Sequence, residues 1–146
     1  MKKASFHVLS DSSEPGAIPA HYALACTLAN QFYQQGKWLY LLCDDRATAE
    51  QIDEALWQLD PDLFVPHQLQ DEVPGQKAPV EIIWDAPKQS RSVLINLARE
   101  VPSFAARFEH VIDFVPADED LKQLARERYK SYRQLGMQLD VIQPGQ

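Results

Sequence analysis

Cysteine is scarce in this chain, with only Cys26 and Cys43 among 146 residues. They show neither metal nor redox spacing, and each lies in an apolar run. That excludes a zinc finger and a disulfide scaffold, and predicts two reduced core thiols in a cytoplasmic protein. Long apolar runs are missing too, since none approaches the roughly 18 residues of a membrane span. The start, Lys2-Lys3-Ala4-Ser5-Phe6-His7-Val8-Leu9, is basic and then apolar, but it soon meets Asp11 and Glu14. Its apolar part is too short for a signal peptide. Positive charge is also in short supply, with 14 Lys and Arg against 21 Asp and Glu, for a net −7. This balance opposes broad DNA binding by the whole surface.

Phosphate-binding glycines are absent where they would matter. Parallel α/β sheets bind nucleotides at the first strand–helix turn, which here reads Ser10-Asp11-Ser12-Ser13-Glu14-Pro15-Gly16. It matches neither GxGxxG nor GxxxxGK[ST], and its acids repel an anion. The histidines at 7, 21, 67 and 110 are scattered, so no metal site is expected. No GxSxG elbow or nucleophile–base pair is visible. Asp44-Asp45 lie where a catalytic acid could sit, but Asp45 fits the N-cap of the next helix better.

What is present is an alternation of apolar strands and amphipathic helices in a chain 45% apolar, of a length that suits one domain. Strands are predicted at 5–9, 38–43, 80–84, 93–97, 111–115 and 137–142. Helices are predicted at 20–35, about 46–59 and 118–135, with a helical turn near 103–108 and a loop over roughly 60–78. Gly36 and Gly136 stop the first and last helices. Unbroken apolar strands such as Trp38–Cys43 belong to sheets covered on both faces, so the prediction is an α/β domain spanning 1–146 with a mostly parallel sheet.

Three features stand outside the predicted core. On the helix over 46–59, Ala49, Ile52, Ala55, Leu56 and Leu59 share one face, while Trp57 falls about 140° from Ile52. Trp57 either packs under a neighbouring loop or anchors a partner. On the last helix, Leu121, Leu124, Ala125, Tyr132 and Leu135 define the buried side. Lys122, Arg126, Tyr129, Lys130 and Arg133 form a separate stripe within about 80° of Lys122. Residues 122–133 carry five bases and one acid, which leaves nine bases against 20 acids elsewhere. Such a stripe is either a solvated face or a grip for a carboxylate or phosphate beside an aromatic ring. Phe64-Val65-Pro66-His67 either plugs the core edge or forms a second, apolar partner surface.

The segments Asp53–Trp57, Phe64–His67, Pro79–Ile82, Asp113–Pro116 and above all Leu121–Lys130 resemble the chi-subunit family of the bacterial DNA polymerase III holoenzyme. The resemblance covers essentially the whole chain. It implies a Rossmann-like domain with helices on both faces and no nucleotide-binding loop, no catalytic activity and no cofactor. It also implies membership of a DNA-directed DNA polymerase complex. Two partners follow: the psi subunit, which connects to the clamp loader, and the acidic C-terminal tail of single-stranded-DNA-binding protein. Carried over residue by residue, the tail site comprises Trp57, Val115, Lys122, Arg126, Tyr129 and Lys130. Arg126 or Lys130 takes the terminal carboxylate, and Trp57 and Tyr129 flank the apolar end. The psi surface includes Phe64, Val65 and Pro66. The end of the chain, Asp140–Gln146, departs from the family pattern, and no contact is carried onto it. The alternatives are a nucleotide- or DNA-acting enzyme on the same scaffold, and a direct single-stranded-DNA binder, which −11 elsewhere and few stacking aromatics disfavour.

Overall fold

Alternate residues of each central strand enter different cores, so the sheet is covered on both sides. In β2 (Leu39–Leu42), Leu39 and Leu41 join one buried cluster while Tyr40 and Leu42 join the other. The computed structural model describes residues 2–10, 18–59, 65–70, 72 and 75–144. The remaining strands are β1 (Lys3–Val8), β3 (His67–Leu69), β4 (Val80–Ile83), β5 (Val93–Asn96), β6 (His110–Val115) and β7 (Gln138–Ile142). They form one seven-stranded sheet in the order β3-β4-β2-β5-β6-β1-β7, with every pairing parallel. This is a Rossmann-like α/β architecture.

Helices α1 (Ala20–Gln34) and α2 (Arg46–Trp57) cover one face, burying Ala25, Leu28, Phe32, Ala49, Ile52 and Leu56. Helix α3 (Glu119–Gln134) and a short 3-10 turn (Ala105–Arg107) cover the other, with Ala125, Tyr132 and Ala105 buried. Local chemistry sets the helix ends. The Asp45 carboxylate accepts from the Thr48 N–H at 2.8 Å and the Asp118 carboxylate from the Leu121 N–H at 3.0 Å. Each satisfies a donor that the first turn leaves unpaired. Gly36 and Gly136 follow α1 and α3 at φ 77° and 79°, a conformation that favours glycine.

Both cysteines are buried free thiols, and burial pushes each up to about 12. Among the described residues, no helix is long and apolar enough to cross a membrane.

Three expectations need correction. The segment read as a loop over 60–78 contains β3, a three-residue parallel edge strand on β4. Leu135, assigned to the buried side of α3, is 48% exposed, because the helix has already ended at Gln134. Trp38 lies outside β2 and is 43% exposed, with the Arg91 guanidinium 4.9 Å from its ring. The polar first loop falls largely on residues 11–17, outside the described residues.

Candidate functional site

Helix α3 presents two rows of side chains with opposite tasks. The inner row, Ala125, Arg128 and Tyr132, is buried against the sheet. The outer row lines an open groove of about 460 Å³, together with residues of three neighbouring strands. Phe6 of β1, Val115 at the end of β6 and Val141 of β7 supply apolar walls. Lys122, Arg126, Lys130 and Arg133 supply cations, and Tyr129 lies between them. The β1–β7 register sets Phe6 beside Val141, and the Phe6 and Tyr129 rings are 5.5 Å apart. An apolar floor with a cationic rim suits an acidic peptide that also carries an apolar side chain.

The cations differ in what already neutralises them. Lys122 pairs with Glu119 at 3.4 Å and Lys130 with Glu127 at 3.7 Å. Arg126 donates only to the neutral side-chain oxygen of Gln123, at 3.2 Å. Surface pairs of this kind are weak, so an incoming carboxylate can displace them at little cost.

The inner row fixes where the outer row stands. Arg128 Nε donates to both oxygens of Asp113, at 3.0 and 3.1 Å, and its terminal nitrogens donate to the carbonyls of Arg99 and Phe114. The Tyr132 hydroxyl donates to Asp113 at 2.7 Å, and Asn96 at 3.2 Å. Burial pushes the Asp113 carboxyl above its ordinary range, and the Arg128 guanidinium pulls against that shift. Burial likewise pushes the Tyr132 phenol well up. This network ties α3 to the strand that ends in Val115, and so sets the width of the groove.

Of the residues carried over to the tail site, the structure brings together Val115, Lys122, Arg126, Tyr129 and Lys130. It does not bring Trp57 to them. Helix α2 packs on β3 and β4, whereas α3 packs on β6 and β7 across the opposite face. Trp57 is 60% exposed and lies edge-on to the His67 ring, with centroids 4.8 Å apart. Trp57 therefore does not line this groove with Tyr129, since α2 and α3 pack on opposite faces of the sheet. For the second surface, Phe64 lies outside the described residues, and Pro66 is half-buried. Val65 is 2% exposed and belongs to the core, so its side chain shapes that surface only from beneath.

Across the C-terminal ends of the strands runs a second cleft of about 500 Å³, whose walls include His21, Asp44, Asn96, Arg99 and Arg128. This is the crevice where parallel α/β sheets bind nucleotides. Its acids are engaged in structure: Asp44 accepts from the Arg99 N–H at 3.2 Å, and Asp45 caps α2. Burial, with help from the charge of Arg128, lowers His21 to about 4, so the imidazole is neutral at pH 7.

Residues 1–140 match the family profile described as DNA polymerase III chi subunit, HolC. The chain is 42% identical to DNA polymerase III subunit chi of Escherichia coli strain K12 over 143 residues, 97% of each chain. It is 40% identical to the Haemophilus influenzae subunit over 146 residues, 99% of each chain. The Pseudomonas aeruginosa subunit is 34% identical over 141 residues, 95% of this chain and 94% of that one. The chain belongs to the DNA polymerase III chi subunit family.

Three residues lining this chi-family groove, and the buried Arg128 behind it, were not carried over from sequence. Phe6 and Val141 come from strands remote in sequence from α3, and only the sheet order brings them to it. Arg133 belongs to the stripe on the helical wheel and lines the groove beside Lys130. Arg128 had a legible signal: at about 240° from Lys122 it falls in the middle of the apolar side, where a base needs a buried partner.

Proposed function

We propose that this chain is a non-catalytic accessory subunit of DNA polymerase III in the cytoplasm. It links the clamp loader, through the psi subunit, to single-stranded-DNA-binding protein. The groove on α3 takes the acidic C-terminal tail of that protein, with Arg126 and Lys130 on its terminal carboxylate and Phe6, Val115 and Tyr129 against its apolar end. The psi subunit takes the opposite layer, around Trp57 and Pro66, and the family resemblance adds Phe64 to its contacts. The observation that carries the reading is the groove itself, in which cations surround an apolar floor on an otherwise acidic molecule. The engagement of Asp44 and Asp45 in backbone hydrogen bonds supports a scaffold without acid–base catalysis.

The test is calorimetry of a synthetic tail peptide with wild type and Arg126→Glu at low and high salt. Losing one charged hydrogen bond costs about 1.5–3 kcal/mol, or roughly 10- to 150-fold in affinity, and reversal costs at least that. Stability should change little, because Arg126 is exposed. Wild-type binding should weaken modestly as salt screens one or two exposed pairs. A folded Arg126→Glu variant that binds within twofold of wild type would sink the assignment.

A further inference from the structure

On the layer opposite the groove, two oxygen acceptors face the two nitrogens of one buried ring. The His67 side chain is 2% exposed. Its Nδ1 lies 2.7 Å from the Val65 carbonyl and its Nε2 lies 3.2 Å from Asp53 Oδ1. The second contact is an ion-pair distance rather than an aligned hydrogen bond, and no other described residue partners Nε2. A neutral imidazole has one N–H and one lone pair, so it satisfies one of these oxygens and turns its lone pair on the other. A second ring proton converts that conflict into a charge pair. Of the two groups the imidazole is ordinarily the stronger base, at about 6.5 against about 3.9 for an aspartate, so the proton belongs on the ring.

The surroundings are acidic on the side of Asp53. Burial raises the Asp53 carboxyl above its ordinary range, the charge of His67 opposes that rise, and Glu72 and Glu54 add to it. Helix α1, which packs on α2, carries no Asp, Glu, Lys or Arg. On β4 the register sets Val80 beside His67, whereas Glu81 is bonded to Gln68, whose side chain points to the other face of the strand. Asp53 and Trp57 are one turn apart on α2 and so lie in one row, with the Trp57 and His67 rings 4.8 Å apart. The Val65 carbonyl leads straight into Pro66. One ring therefore ties the helix row carrying Trp57 to the segment carrying Pro66.

Resting on the proposed psi-binding role of this layer, we infer that His67 is the positioning residue of that surface, held as an imidazolium between Asp53 and Val65, so that psi binds the protonated chain more tightly. The direction follows from the contacts. Loss of the Nε2 proton sets a lone pair against the Asp53 carboxylate and removes the charge that the Trp57 ring adjoins. Trp57 and Pro66 then lose the common anchor that holds them ready for a partner, and ordering them is charged to binding. Affinity for psi falls as pH rises. A tie that only held the fold together would leave psi affinity independent of pH.

The experiment uses the full chain and psi, at about pH 6 and about pH 9, on either side of the ordinary histidine range. Nitrogen NMR of the chain with isotope-labelled histidine identifies His67 by its absence from His67→Gln, or by its response to Asp53→Asn if that variant does not fold. Both ring nitrogens should carry protons at the lower pH. Calorimetry should find psi bound about fivefold more weakly at the higher pH, the loss of about one hydrogen bond. In Asp53→Asn an amide N–H can donate to the neutral Nε2, so the ratio of the two dissociation constants should fall close to one. A pH dependence that comes from groups on psi would persist in that variant. A His67 ring with a single N–H at the lower pH, or a wild-type ratio no larger than that of Asp53→Asn, would overturn the inference while leaving the psi surface in place. Failure of wild type to bind psi at either pH would overturn the psi reading and this inference with it.

Discussion

Asp113 is fully buried, yet its carboxylate accepts from Arg128, Tyr132, Asn96 and the Phe114 N–H. A buried pair of this kind contributes less to stability than its geometry implies, because both charges have lost water. Removing only one partner is costly, since the other charge stays buried and uncompensated. Arg128→Met should therefore destabilise the fold by about 3–5 kcal/mol, read as a lower urea midpoint. Asp113→Asn with Arg128→Met removes both charges and keeps an acceptor for the Tyr132 hydroxyl, so it should be clearly more stable than Arg128→Met alone. If the double variant is the less stable of the two, the charge argument is wrong and the hydrogen bonds to the carboxylate carry the site. The helical wheel places Arg128 on the inward side, a signal the sequence analysis left unused, and nothing in the local sequence names Asp113 as its partner. Only the docking of α3 on β6 reveals that.

At the scale of elements, the sequence was most readable where several local signals agreed. Helix α3 has an aspartate cap, an apolar row, a polar row and a terminal glycine, and its observed limits lie within a residue or so of the predicted ones. Strand β3 escaped because three residues, with a glutamine in the middle, show no apolar alternation. Its stability is tertiary: β4 supplies the ladder, and the buried Gln68 amide donates to the Gln76 carbonyl at 2.9 Å. Trp57 was legible as an off-face residue, since a helical wheel reports orientation within one helix. The layer that helix occupies depends on sheet order, which the wheel does not contain. Because α2 and α3 lie on opposite faces, Trp57→Ala should leave the tail-peptide dissociation constant within twofold of wild type while weakening psi binding. A tenfold loss of tail affinity in a folded Trp57→Ala variant would return that residue to the tail site.

The whole molecule separates its two proposed surfaces as widely as one sheet permits. Helix α2 lies on β3 and β4 at one end of the strand order, and α3 on β6 and β7 at the other. Strands are spaced about 4.8 Å apart, so six steps from β3 to β7 set the two edges roughly 29 Å apart. Physiological salt screens exposed charges beyond about 8 Å, so the charge of a ligand at one edge is scarcely felt at the other. Coupling through the core would need an element with two discrete arrangements that both ligands bias. Instead, parallel pairing across all seven strands and the Asp113–Arg128 tie point to one rigid arrangement. The proposed partners should therefore bind independently and together. The tail peptide's dissociation constant, measured by calorimetry at about 0.15 M salt, should agree within twofold for the chain alone and for its complex with psi. Near 0.01 M salt the screening length grows to about 30 Å, and a small dependence on the charge of psi should emerge. A change beyond about fivefold at physiological salt would mean that the surfaces overlap or that the sheet transmits a conformational change, and either result would refute independent binding at opposite edges.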